Sequence, residues 1–278
     1  MAVTYLFVPA VDGRKVQKAL TCGADAVILD LEDSVPDSEK ERARQAAAAV
    51  AQQGLPDGVQ VWVRVNGPAG PHFAEDLRHV PWAGFHGAVL PKAEDPAAVA
   101  ALYRAGARRI LPIVESVQGL SALPALARAA GVERVAVGTW DLALDLGLVS
   151  VEDPDASELI WQLRGQVVVE SRRLGLAPPV DGIYAHFQDD EGLRAACERA
   201  LRMGFAGKLL IHPRQVPIAR QVFTPAEDAL AFAREVVQAY EQAAREGRGA
   251  VQVRGRAVDL PMVERARALL SRWGQASS

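Results

Sequence analysis

Short runs in which nearly every position is apolar recur along the chain, at residues 6–9, 26–31, 59–65, 87–90, 110–114, 132–137, 179–182 and 208–211. A strand buried on both faces reads this way, because neither face is left to solvent. Between the runs, apolar residues return at helical spacing over 14–22, 38–52, 96–103, 118–130, 156–174, 191–203 and 214–221. The stretch 71–80 carries the faintest helical pattern. Ser38 with Glu41 three residues on has the form of a capping box at the start of the second helix.

Eight strand–helix units with apolar strands predict a parallel sheet covered by helices, and eight strands close a barrel. The expected fold class is therefore α/β, a (β/α)8 barrel. A doubly wound open sheet is the alternative. It usually has fewer strands, and the first turn here, Val8-Pro9-Ala10-Val11-Asp12-Gly13, lacks the Gly-x-Gly-x-x-Gly that such sheets place there.

The pattern then runs past what a barrel needs. Residues 225–246 form a long helical stretch that Gly247-Arg248-Gly249 breaks. Residues 250–259 suit a short extended segment or hairpin, and 261–273 a last helix opened by Pro261. The expected organisation is a catalytic barrel over 1–222 and a C-terminal helical extension over 223–278. With no core of its own, the extension is expected to pack on the barrel or on a neighbouring subunit.

Composition narrows the class. Half of the 278 residues are hydrophobic and 23% are charged, which excludes a disordered or collagen-like chain. A net charge of −3 gives no basic excess for nucleic acid. Charge interrupts every apolar run well before the ~20 residues of a membrane-spanning helix. The first residues lack the basic start and long apolar stretch of a signal peptide. Cys22 and Cys197 lie too far apart for a disulfide framework or a zinc cluster, so a reduced, cytoplasmic setting is expected.

In a parallel barrel the chemistry gathers at the C-terminal ends of the strands. Those ends carry Asp30-Leu31-Glu32-Asp33, Arg64-Val65-Asn66, Lys92-Ala93-Glu94, Glu115, Gly138-Thr139-Trp140-Asp141, Asp181 and His212. Glu115 and Asp141 follow adjacent strands and suit a hard cation such as Mg²⁺, which takes one or two protein carboxylates and completes its shell with water and substrate. The same spacing also suits two carboxylates held by salt bridges or helix N-termini. Arg64 suits a substrate oxyanion, or else an ion pair with Asp30 or Glu32. His212, followed by Pro213, suits a packed or capping residue better than a general base.

Several of these segments are specific when taken together: Leu29-Asp30-Leu31-Glu32-Asp33-Ser34, Val63-Arg64-Val65-Asn66-Gly67, Leu90-Pro91-Lys92-Ala93-Glu94, Ile113-Val114-Glu115-Ser116, Gly138-Thr139-Trp140-Asp141-Leu142-Ala143-Leu144-Asp145-Leu146-Gly147 and Ile211-His212-Pro213. With them the chain resembles the citrate lyase β-subunit family of the HpcH/HpaI aldolase superfamily, over nearly its whole length. The resemblance implies a Mg²⁺-dependent lyase that cleaves or forms a carbon–carbon bond in a 3-hydroxy-acyl-coenzyme A such as citryl-, malyl- or citramalyl-coenzyme A. It implies Mg²⁺ on Glu115 and Asp141, substrate on Arg64 and Glu115, and Asp30, Glu32 and Asp33 as groups that back the ion or hold its water. Val258-Asp259-Leu260-Pro261 matches a segment that reaches into a neighbour's site, so Asp259 is the implied acid/base; by position alone it is a helix N-cap. Arg14, Lys15 and Lys18 stand where relatives approach the coenzyme A phosphates. A homotrimer, or a hexamer of trimers, is implied as well. The competing expectations are a metal-dependent 2-oxo acid aldolase that needs no coenzyme A, and a β subunit that depends on an acyl-carrier partner.

Overall fold

The computed structural model describes residues 2–149 and 152–274, and the last four residues of the expected extension lie outside the described residues. The chain divides into two compact units, Ala2–Phe223 and a second that begins at Thr224.

In the first unit, strands and helices alternate: β1 Thr4–Pro9, α1 Gly13–Thr21, β2 Ala26–Asp30, α2 Lys40–Gln53, β3 Gln60–Arg64, α3 Phe73–His79, β4 Gly87–Leu90, α4 Pro96–Ala105, β5 Ile110–Val114, α5 Val117–Leu126, β6 Ala136–Val137, α6 Thr139–Asp145, α7 Glu158–Arg173, α8 Asp190–Met203, β7 Lys208–Leu210 and α9 Gln215–Phe223. The strands are parallel in the order β6-β5-β4-β3-β2-β1-β7. The run at 179–182 does not form a full strand. It contributes two-residue bridging only, Ala136 with Val180 and Asp181 with Lys208, and so joins β6 to β7. The result is a nearly closed barrel whose expected seventh strand is reduced to a bridge.

Charge explains that thin segment. Asp181 is fully buried and takes Arg164 of α7 at 2.5 Å and Lys208 of β7 at 2.6 Å, while Lys208 also donates to the Gly182 carbonyl at 2.7 Å. The ion pairs hold the segment where a long ladder is missing. Although burial works against its charge, the two cations keep the Asp181 carboxyl below the usual carboxylate range.

Side chains alternate across each strand. One set, Tyr5, Ala26, Ile28, Trp62, Val89, Leu111, Ile113, Ala136, Val180 and Leu209, packs into a single cluster with Phe7 and Ile183. This is the barrel interior. The same alternation carried to the strand ends puts Asp30, Arg64 and Glu115 on top of that column. Hence the fold, rather than any local motif, brings these residues together.

The expected capping box does not form. Asp37–Glu39 make a 3-10 turn, α2 begins at Lys40, and no side chain caps it. Instead the buried Lys40 ammonium donates to the Leu31 and Glu32 carbonyls, each at 2.8 Å, and fixes the loop after β2.

The second unit contains α10 Glu227–Arg245, a hairpin of β8 Val251–Val253 and β9 Arg256–Val258, and α11 Leu260–Trp273. Arg254 and Gly255 both have positive φ, 46° and 76°, as a two-residue hairpin turn requires. Contrary to the sequence expectation, this unit has a small core of its own: Ala233, Val236, Val253, Val258, Val263 and Ala266 are buried together, with Phe232 and Tyr240 against them. The hairpin supplies the extra apolar face that two helices alone lack.

Candidate active site

A cavity of roughly 680 Å³ opens at the C-terminal end of the barrel. Its lining includes Asp30, Asp33, Arg64, Glu115, Gly138, Asp141, Lys15, Lys18 and His212, all from the first unit. Arg14 is exposed and is not among the lining residues, so the three expected coenzyme A cations separate into two at the cavity and one away from it.

Glu115 follows β5 and stands beside Gly138, because the parallel pairing of Val114 with Val137 sets the two chains in step. Ser116 then caps α5, accepting from Gly119 N at 3.0 Å, and ends the extended backbone just past Glu115. Asp141 lies in the first turn of α6 and is half-buried. Glu115 is only 5% exposed, and burial, with the Asp141 charge added, pushes its carboxyl up to about 8. The buried Glu115 carboxylate is poorly solvated and feels the Asp141 charge, and a divalent cation would relieve both.

The donor set fits Mg²⁺. It offers hard oxygens in the number that this ion takes from protein, with room for water and substrate. Among the described residues no group of three or more His, Cys, Asp or Glu side chains forms a complete cage. Glycine at 138 is part of the fit, since a Cβ there would overlap the Glu115 carboxylate.

Arg64 ends β3. Asp30 takes its Nε at 2.6 Å and its Nη2 at 2.7 Å, the forked geometry that a guanidinium allows. Its Nη1 meets Glu32 at 3.0 Å and the exposed Asp33 at 3.4 Å, and its plane lies over the Phe7 ring at 4.6 Å. Of the two readings offered by the sequence for Arg64, the ion pair with Asp30 and Glu32 is present, and the residue also lines the cavity. The acids of the loop 30–33 contact Arg64 and Lys92, and Lys92 in turn links Glu32 to Glu115. Burial works against the charge of Asp30, but Arg64 and Ser34 hold its carboxyl below the ordinary range. Burial pushes Glu32 up to about 7, against the pull of Arg64 and Lys92.

His212 is a packed residue, as its place before Pro213 suggests. It stacks on Phe187 at 4.9 Å, and its Nδ1 accepts from Arg214 N at 3.2 Å. Asp259 belongs to the second unit, where its exposed carboxylate accepts from Met262 N at 3.3 Å and caps α11.

Two residues were given no role by the sequence reading. Lys92 donates its main-chain N–H to Glu115 Oε1 at 2.6 Å and pairs its ammonium with Glu32. Lys40 secures the same loop from behind. A lysine at the end of an apolar strand was the available signal for the first. For the second it was a lysine at a helix start, where acidic residues are the rule.

Comparison with known proteins bears on the fold and the family. The profile of the HpcH/HpaI aldolase/citrate lyase family matches residues 4–213. A (3S)-malyl-CoA thioesterase of Cereibacter sphaeroides is 36% identical over 273 residues, covering 96% of this chain and 93% of that protein. An L-malyl-CoA/beta-methylmalyl-CoA lyase of Rhodobacter capsulatus is 31% identical over 294 residues, covering 95% of this chain and 92% of that protein. Among solved structures, CitE from Mycobacterium tuberculosis in complex with magnesium, acetoacetate and coenzyme A superposes with a TM-score of 0.79 at 30% identity, covering 99% of this chain and 98% of that one.

Proposed function

The chain belongs to the HpcH/HpaI aldolase/citrate lyase family, and on that footing we propose that it is a Mg²⁺-dependent carbon–carbon lyase acting on a 3-hydroxy-acyl-coenzyme A of the malyl, citramalyl or citryl type. The observation that carries this reading is the convergence of Glu115, Asp141 and Arg64 on one cavity at the strand ends. Glu115 and Asp141 would hold the ion, which would supply Lewis-acid stabilisation to the hydroxyl and carboxylate oxygens of the substrate.

The remaining work falls to the protein's own groups. Asp259, supplied by a neighbouring copy in a trimer or hexamer, takes the substrate hydroxyl proton as general base. The carbon–carbon bond breaks, its electron pair passes to the thioester carbonyl as an enolate, and the former carbinol carbon leaves as a carbonyl in the oxo acid. Protonation of the enolate carbon gives acetyl-coenzyme A. Arg64 holds the enolate oxygen, a contact worth roughly 3 kcal/mol in comparable oxyanion sites. Asp30 fixes the guanidinium plane for this task by gripping Nε and Nη2. The long, exposed contact of Nη1 with Asp33 is the one that a substrate oxygen would replace. Lys15 and Lys18, exposed at the cavity, suit the coenzyme A phosphates.

Hydrolysis of the thioester in the same site is a second reading, supported by the 36% identical relative that carries a thioesterase name. One assay tests both. The purified chain is given malyl-, citramalyl- and citryl-coenzyme A with Mg²⁺, and products are separated. Acetyl-coenzyme A with an oxo acid supports the lyase, whereas free coenzyme A with the intact hydroxy acid supports hydrolysis. Chelation of the metal and Asp141→Ala should each abolish turnover while the fold persists. Full activity of Asp141→Ala in chelator would refute the assignment.

A further inference from the structure

Lys92 is one of two non-glycine residues with positive φ among the described residues. The other, Arg254, sits in a hairpin turn that demands it; Lys92, at φ 47°, does not. An L side chain in the left-handed region is disfavoured and persists only where its surroundings over-determine it. Here they do. The left-handed turn after Pro91 aims the Lys92 N–H at Glu115 Oε1, 2.6 Å away. At the other end of the residue the ammonium pairs with Glu32 Oε1 and lies 3.7 Å from Asp33. Glu32 Oε2 in turn meets Arg64 Nη1 at 3.0 Å. A continuous chain of contacts thus runs Glu115–Lys92–Glu32–Arg64.

We infer that Lys92 is a positioning residue that sets Glu115 and Arg64 relative to each other: its left-handed main chain fixes one oxygen of Glu115, and its ammonium fixes Glu32 and, through it, Arg64. The inference rests on the reading that Glu115 and Arg64 serve one reaction. The ammonium tether holds the residue in its unfavourable conformation. Without it, an alanine relaxes to the extended or right-handed region and its N–H turns away from Glu115. A glycine also loses the tether but stays left-handed at no steric cost.

Lys92→Ala and Lys92→Gly therefore separate the two arms. In substrate-free protein, Mn²⁺ affinity measured by electron paramagnetic resonance should fall about tenfold in Lys92→Ala and much less in Lys92→Gly, the scale on which groups behind a ligand act. Exchange of the residue-92 amide, read without metal, should be roughly tenfold faster in the alanine variant than in the glycine variant. Both variants should lose kcat, since both lose the arm to Arg64. Equal Mn²⁺ affinity and equal amide exchange in the two variants, with only their melting temperatures lowered, would mark Lys92 as merely structural and overturn the inference. A native protein that binds no Mn²⁺ would instead sink the metal reading itself, and that is seen before any variant is made.

Discussion

Glu115 and Gly138 are neighbours across β5 and β6, and the Glu115 carboxylate fills the space that a side chain at 138 would take. The backbone at Gly138 has φ −103°, which any residue can adopt, so its need for glycine is spatial rather than conformational. Gly138→Ala should leave the barrel folded and displace the carboxylate. The expected outcome is a 10- to 100-fold loss of Mn²⁺ or Mg²⁺ affinity, about the size seen when the groups around a ligand are disturbed. Calorimetric titration checks it; unchanged affinity would show that the placement of Glu115 beside Gly138 is not what holds the ion.

Glu32 gives a pH signature. Its carboxyl is raised from 4.5 to about 7 in the folded chain, chiefly by burial. A raised acid favours the folded state while protonated, so this contribution is full below 4.5 and is lost as pH climbs through about 7. The shift corresponds to ~3 kcal/mol as an upper figure. Glu115 is displaced in the same direction, so the informative quantity is a difference. Relative to the native chain, Glu32→Gln should be more stable at pH 8 than at pH 5. Urea unfolding over that range tests this, and parallel pH profiles for the two proteins would contradict it.

The buried trio of Arg164, Asp181 and Lys208 should be costly to break. Each is wholly inaccessible to solvent, and Asp181→Asn leaves Lys208 with no carboxylate partner and Arg164 with Asp155 alone. A loss of about 3–5 kcal/mol is expected, the range for removing one member of a buried ion pair. Adding Lys208→Met should recover part of it by removing one uncompensated charge. If the double variant were no more stable than the single one, the Lys208 pair would not be what holds residues 179–182 in place.

Much of this was legible in the residue pattern. Glu115, Asp141 and Arg64 stand at the ends of apolar runs, and the barrel rule brings strand ends together whatever their distance in sequence. Other features left no trace there. Gly138 acts by what it lacks. Lys92 acts through a main-chain hydrogen and an unusual φ, and hydropathy records neither. The segment 179–182 reads as a full strand because it is short and largely apolar, but its aspartate finds its lysine partner 27 residues away, a distance that hides the pairing. The extension reads as coreless because 250–259 looks like a connector alone, whereas its Val253 and Val258 complete the apolar face of the two helices.

The cap at the head of α11 also shapes how the proton transfer proposed for it can be tested. Asp259 already spends one oxygen on the Met262 amide, a duty that asparagine performs equally well with its carbonyl. Exchanging a single oxygen for nitrogen would therefore leave the last helix seated while stripping the position of any ability to carry a proton. Silence in the assay from such a protein, with its melting point intact, would speak of proton traffic alone. Alanine at the same place would confound that loss with unravelling.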